Sequence, residues 1–202
     1  MTASPLPHPL RLAGNGVVLR EWTPDDLEEL VALLDEPDIA RWTPMPSPFD
    51  LAAGLAYLER ARQGRLTGRR IQLAITTEGR EPLGEVLLFG VNPARREAEL
   101  GYLIGAPYRR RGLAAAALAL LTDYACGPLR LSRLLLRIDP GNTASTAVAR
   151  RCGYRLTGEP PIPQAGPHGA TSLDTWEYVD GLPGARRDRL RNVASRRYGR
   201  RT

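Results

Sequence analysis

The β-branched content of residues 16–22, GVVLREW, predicts a first strand. The spacing then changes to that of a helix. In TPDDLEELVALLDE, Thr23 is placed to cap, Pro24 occupies the first helical position, and acids fill the first turn. Leu27, Leu30, Val31 and Leu34 fall on one face. After the turn-rich WTPMPSP, apolar positions at Leu51, Leu55, Leu58 and Ala61 predict a second helix from Asp50 to about Arg65.

Three strand-like runs follow, RIQLAITT, PLGEVLLFGV and EAELGYLIG, separated by the turn signals EGRE and NPARR in the manner of a meander. Leu113 to Ala125 is built from strong helix formers and stops at Gly127-Pro128. RLLLRI reads as a buried strand, Asn142 as the cap of a short helix to about Arg151, and YRLTGE as the start of another strand. A Pro/Gly-rich loop, EPPIPQAGPHGA, leads to a last strand around DTWEYV. A meander followed by alternating helices and strands predicts an α/β (α+β) sheet with helices on both faces.

Composition narrows this picture. The 202 residues, 43% hydrophobic and 25% charged, suit one globular domain with trimmings. The expected division is an N-terminal extension over 1–13, the domain over 14–180 and a tail over 181–202. No apolar run approaches the ~18 residues of a membrane span, and the N-terminus lacks a secretory pattern, so a soluble cytoplasmic protein is expected. Cys126 and Cys152 stand apart without metal-ligand spacing and read as packing residues, so no metal is implied.

The net charge of +6 suggests nucleic acid until it is divided by position. Residues 183–202 hold eight arginines and one aspartate, or +7, which leaves the remainder at −1. The body is neutral and the basicity belongs to the tail. Nucleic acid is therefore an expected partner only through that tail, and a solvated tail is the plainer expectation. All 28 basic residues are arginine, so the chain offers no lysine amine.

The chemistry gathers where the strand ELGYLI feeds the alanine-rich helix through GAPYRRRG. A strand-to-helix loop containing Gly112 sets unpaired amides and the positive end of the helix dipole at one point. Gly112 admits a close anion and Ala114 keeps the first turn open. No GKS or GKT follows, and the glycine spacing is not that of a dinucleotide fold. These features suit a phosphate cradle and a solvated turn equally.

RRRGLA, Arg109 to Ala114, resembles the acyl-CoA pyrophosphate motif of the GNAT superfamily of N-acetyltransferases: Gln or Arg, two variable positions, Gly, one variable position, then Gly or Ala. The resemblance runs in order from about Gly14 to about Val179. RIDPGNTASTAVARRCGY is similar to the segment that closes over CoA, and GNTAS and RRCGY resemble the branch that includes ribosomal-protein alanine acetyltransferases. The resemblance implies a GNAT fold, a mixed and mostly antiparallel sheet with a splayed strand pair for acyl-CoA, with acetyl-CoA as co-substrate.

By the same resemblance, main-chain amides around Arg110, Arg111, Gly112, Leu113 and Ala114 hold the pyrophosphate, with Arg109 or Arg111 adding charge. The strands ELGYLI and RLLLRI splay for the pantetheine arm, Asn142 contacts that arm, and Ser145 hydrogen-bonds or protonates the leaving thiolate. Glu99 deprotonates the amine, with Glu97 in reserve. Trp42, like Trp22, lies where relatives build the acceptor wall, and the loop from Glu159 to Thr171 is a candidate lid. One departure stands out: some relatives carry a tyrosine acid seven residues after the asparagine, and here that residue is Ala149.

The implied activity is acetyl transfer to a primary amine, on a small molecule or a protein N-terminus, by direct attack in a ternary complex. A second copy of the chain is a further candidate partner. At pH 7 an α-amine of pKa near 8 is free base in about one molecule in ten, and a lysine amine of pKa ~10.4 in about one in 2,500. Proximity and oxyanion stabilisation then supply most of the catalysis. The alternative is a non-catalytic acyl-CoA sensor whose basic tail contacts RNA, the ribosome or an acidic partner.

Each candidate also has a plainer role. Glu99 suits an ion pair with an arginine, Asn142 an N-cap and Ser145 a first-turn position. Trp42 suits the core, while His168 and His8 suit an exposed loop and a terminus.

Overall fold

The computed structural model describes residues 9–166 and 169–181. Nine strands form one sheet path: β1 (Arg11–Gly14), β2 (Val17–Glu21), β3 (Ile71–Thr76), β4 (Gly84–Asn92), β5 (Glu97–Ile104), β6 (Arg133–Ile138), β9 (Gly169–Val179) and β7 (Arg155–Leu156), with β8 (Ile162–Gly166) paired to β9. Every neighbouring pair is antiparallel except β5 with β6. This is the mixed, mostly antiparallel α/β sheet that the sequence predicts.

The sheet divides two apolar cores. On one face, α4 (Leu113–Cys126) and α5 (Thr143–Arg151) pack over the central strands, where Leu118 and Leu121 are fully buried among Leu19, Leu73, Val86 and Leu100. The alanine-rich sequence of α4 lets its axis lie close to the strands. On the other face, α1 (Leu27–Leu34), α2 (Pro37–Trp42) and α3 (Leu51–Leu66) enclose Leu30, Leu34, Ile39, Phe49 and Tyr57, joined by Leu103 from β5. Alternation along β5 thus sends Ala98, Leu100 and Tyr102 to the α4 face and Glu97, Glu99, Gly101 and Leu103 to the other.

Besides the unforeseen helix α2, three elements differ from expectation. Two of the leucines expected on the buried face of α3 are not buried: Leu51 and Leu55 are 56% and 58% exposed, while Leu58 is half-buried against the core and Gly54 and Tyr57 are buried. A Cβ at Gly54 would lie 2.8 Å from Val31 Cγ2 and 2.9 Å from Leu27 Cδ1, so close approach of α3 to α1 selects the glycine face. The segment read as a Pro/Gly-rich loop includes β8, which registers with β9 from Ile162–Leu173 to Gly166–Gly169; the proline at 163 is tolerated on this outer strand. The sheet begins at Arg11, inside the stretch assigned to an extension, because β1 pairs with β2 through Leu12–Leu19. His8, His168 and the tail from 182 lie outside the described residues.

Candidate active site

The parallel pair β5–β6 is joined at only three positions: Glu97–Arg133, Ala98–Leu134 and Glu99–Leu135. The closed end is pinned where Ser132 N and Arg133 N both donate to Arg96 O, at 2.8 and 3.2 Å. Beyond Glu99 and Leu135 the strands continue to Ile104 and Ile138 without pairing to each other. A wedge therefore opens in the sheet at Glu99, with main-chain groups along its edges free of a strand partner.

At the open end β5 turns into α4. Arg110 (φ 62°) and Gly112 (φ 79°) are both left-handed, which turns the chain so that successive amides converge. The first intrahelical bond runs from Ala116 N to Gly112 O at 3.0 Å, leaving the amides of Leu113, Ala114 and Ala115 without a helical acceptor. A Cβ placed on Gly112 would meet nothing within 4 Å. Open space, converging amides and the dipole end of a 14-residue helix together fit a pyrophosphate.

The three arginines do not share one task. Arg110 and Arg111 are exposed and make no ion pair among the described residues. Arg109 is turned away: its guanidinium reaches Glu36 Oε2 and Asp38 Oδ2, both at 2.6 Å, and donates from Nε to Ile104 O at 3.0 Å. Two carboxylates against one guanidinium leave that group at −1, so the Arg109 side chain is unsuited to adding charge to a phosphate. Of the two arginines expected to add charge there, Arg109 is thus engaged by partners far away in sequence, while Arg111 is exposed.

Glu99 is half-buried on the face opposite α4, and its Oε2 stands 3.6 Å from Arg137 Nε. Burial pushes its carboxyl above the usual carboxylate range, against the opposing pull of Arg137. Arg137 is held in turn by Thr175 Oγ1 and by Glu159 at 3.8 Å. Glu97, the reserve, is committed: Arg133 holds it at 2.7 Å and Arg95 approaches to 3.9 Å. Arg133 also binds Glu177 at 2.8 Å and Glu159 at 2.6 Å, which locks β5, β6, β9 and the loop before β8 around the wedge.

Asn142 caps α5, its Oδ1 accepting from Ser145 N at 3.0 Å. Ser145 is half-buried, and its carbonyl accepts from Tyr102 Oη at 2.8 Å. Tyr102, which no motif singles out, therefore ties the divergent half of β5 to the first turn of α5; burial raises its hydroxyl well above the ordinary value. Ala149, at the position of the relatives' tyrosine acid, is fully buried in the core. Trp42 ends α2 with its indole against the loop before α5: a Cβ on Gly141 would lie 3.6 Å from Trp42 Cη2. Trp22 instead donates from Nε1 to the buried Glu85 at 2.8 Å.

Burial pushes the thiols of Cys126 and Cys152 up to about 12 and about 11, so both stay protonated at neutral pH. Among the described residues no group of three or more His, Cys, Asp or Glu side chains is placed to share a metal ion. Nor is any helix among them long and apolar enough to cross a membrane.

Comparison with known proteins agrees with this architecture. The chain is 34% identical over 79 residues to the spermidine N(1)-acetyltransferase of Escherichia coli strain K12, covering 39% of this chain and 42% of that protein. It is 30% identical over 164 residues to the mycothiol acetyltransferase of Salinispora tropica, covering 75% of this chain and 48% of that protein. The chain thus spans less than half the length of these two relatives. Among solved structures, Mycobacterium smegmatis RimJ in complex with CoA-disulfide superposes with a TM-score of 0.73 at 22% identity, over 85% of this chain and 86% of that one. That likeness speaks for the fold. The profile of the acetyltransferase (GNAT) domain matches residues 17–155, which takes in the wedge, the Gly112 loop and α5, and the chain belongs to that family.

Proposed function

We propose that this chain is an acetyl-CoA-dependent N-acetyltransferase acting on a primary amine, either a small molecule or a protein N-terminus. The observation that carries this reading is the wedge: strand pairing stops at Glu99, on the face away from α4, and the open edges lead to the Gly112 loop. Donor and acceptor thus have separate approaches that meet at one carboxylate.

Bound acetyl-CoA supplies an activated thioester; the amine nitrogen bonds to the acetyl carbon, the carbon–sulfur bond breaks, and the sulfur leaves as thiolate or thiol. The chain's residues do the rest. Amides from Arg110 to Ala114 hold the pyrophosphate, and the unpaired edges of β5 and β6 orient the arm. Glu99, its basicity raised by burial, takes the proton from the ammonium or from the attacking amine, directly or through water. Ser145, in the first turn of α5, is assigned to hydrogen-bond or protonate the departing sulfur. The high thiol values of Cys126 and Cys152 favour direct attack over a covalent cysteine intermediate.

The test is release of free thiol from acetyl-CoA in the presence of polyamines, amino sugars and peptides with free N-termini, followed by mass spectrometry for one added acetyl group. Acetylation of at least one amine class above the uncatalysed rate is expected. Tight acetyl-CoA binding with no acceptor ever modified would replace this reading with that of a sensor.

A further inference from the structure

The short helix α2 touches both segments assigned to acetyl-CoA. At its N-terminal end, Glu36 Oε2 and Asp38 Oδ2 grip the Arg109 guanidinium at 2.6 Å each. Glu36 Oε1 also accepts from Ala106 N at 2.7 Å, at the start of the same loop. That loop is seated on the helical layer more broadly, since a Cβ on Gly105 would lie 2.4 Å from Leu33 Cδ2 of α1. At the C-terminal end, Trp42 rests on Gly141, the residue before Asn142, and Arg41 covers its ring with the guanidinium carbon 4.5 Å from the centroid.

We propose that Arg109 is a positioning residue: it fastens α2 to the phosphate loop while Trp42 fastens α2 to the Asn142 loop, so that acetyl-CoA binding sets the wall of the acceptor site. The inference rests on the donor and acceptor assignments above. A planar guanidinium is suited to this work because it meets two carboxylates at once in fixed directions, which an ammonium does not. Helix α2 has only six residues, too few to be stable alone, so its position is set by tertiary contacts: Ile39 in the core and what holds each of its ends. Ordering the phosphate loop therefore orders α2, and loosening Arg109 uncouples the two without removing the amides that bind phosphate.

Hydrogen–deuterium exchange of the full chain, with and without acetyl-CoA, tests this and needs no acceptor. In the wild type, acetyl-CoA slows exchange at residues 110–116 and also at 38–43. Glu36→Gln with Asp38→Asn preserves shape and the Ala106 contact but removes both charges; protection at 110–116 stays within about twofold, while that at 38–43 falls about fivefold. In steady state the same variant raises the acceptor KM about fivefold and leaves the acetyl-CoA KM within about twofold. Arg109→Lys restores part of the acceptor KM lost in Arg109→Met, because charge without the fork holds one carboxylate but not both. Equal protection at 38–43 in the wild type and the charge-removed variant overturns the inference. So does a tenfold or greater rise in acetyl-CoA Kd on Arg109→Met with α2 protection intact, which would make Arg109 a phosphate ligand. Absence of protection at 110–116 in the wild type defeats the donor-site assignment itself and the inference with it.

Discussion

Glu99 is the last residue of β5 paired with β6, and Arg137, two residues past its pairing partner Leu135, holds its carboxylate at 3.6 Å. Strand divergence and charge control thus coincide at one side chain. Burial raises the Glu99 carboxyl and Arg137 lowers it, so Glu99, the proposed base, sheds its proton above the ordinary carboxylate range. Activity then falls as pH drops through that raised value. Glu99→Gln should lower kcat/KM about 10²-fold while acetyl-CoA affinity holds. Arg137→Gln removes the lowering influence, so its acid limb should move to higher pH. An α-amine acceptor ionises identically in the assays of both proteins, which lets the difference between wild-type and Arg137→Gln profiles report Glu99; superimposable profiles would remove it as the base.

Gly112 combines a left-handed backbone with an unobstructed approach. A β-branched side chain there is strained by about 1–2 kcal/mol and projects into the space a phosphate needs. Gly112→Val should weaken acetyl-CoA binding at least about tenfold by calorimetry. Because a Cβ meets no protein atom within 4 Å, the cost to stability should be that backbone strain alone, a fall in melting temperature of about 2–8 °C, and unchanged affinity would refute the cradle.

Legibility tracked the range of the interactions. The meander from β3 to β5, α4 and its Gly112 start are local in sequence, set by hydrophobic spacing and turn residues, and were readable. Helix α2 was not, since six residues between turns bury only Ile39 and Ala40, too few to display a period. Strand β8 was hidden by its proline and glycine, because pairing with β9 outweighs their local preference. Arg109 fits its motif position by spacing, yet Glu36, 73 residues away, determines what its side chain does. The leucines of α3 misled for a related reason: Gly54 fits against Val31 and Leu27 where a leucine could not, and no pattern within α3 reveals that neighbour.

Asn142 and Tyr102 hold the first turn of α5 from two sides, one through Ser145 N and the other through Ser145 O. Asn142→Ala should cost about 1 kcal/mol of stability as a lost cap. Tyr102→Phe should cost about 0.5–1.5 kcal/mol for the lost hydrogen bond. Both share Ser145, so their effects on acetyl-CoA affinity should be less than additive in a double-mutant cycle. Strict additivity would show that the two contacts do not act on one turn.

Glu85 places a carboxyl where the chain can least accommodate a charge. It is buried on the face of α3, accepting from Tyr57 Oη at 2.5 Å, Trp22 Nε1 at 2.8 Å and Gln72 Nε2 at 3.2 Å. Burial raises its carboxyl above the ordinary 4.5, and the three donors oppose that rise without cancelling it. The folded chain therefore holds this proton more tightly than the unfolded one. The stabilisation is complete below pH 4.5 and declines as pH rises through the raised folded value. Glu85→Gln has no proton to lose, so the stability of the wild type relative to this variant should fall with increasing pH over that window. Urea titrations at half-unit intervals measure the slope directly. A difference that stays flat, or grows with pH, would mean that the three donors hold Glu85 ionised in the fold.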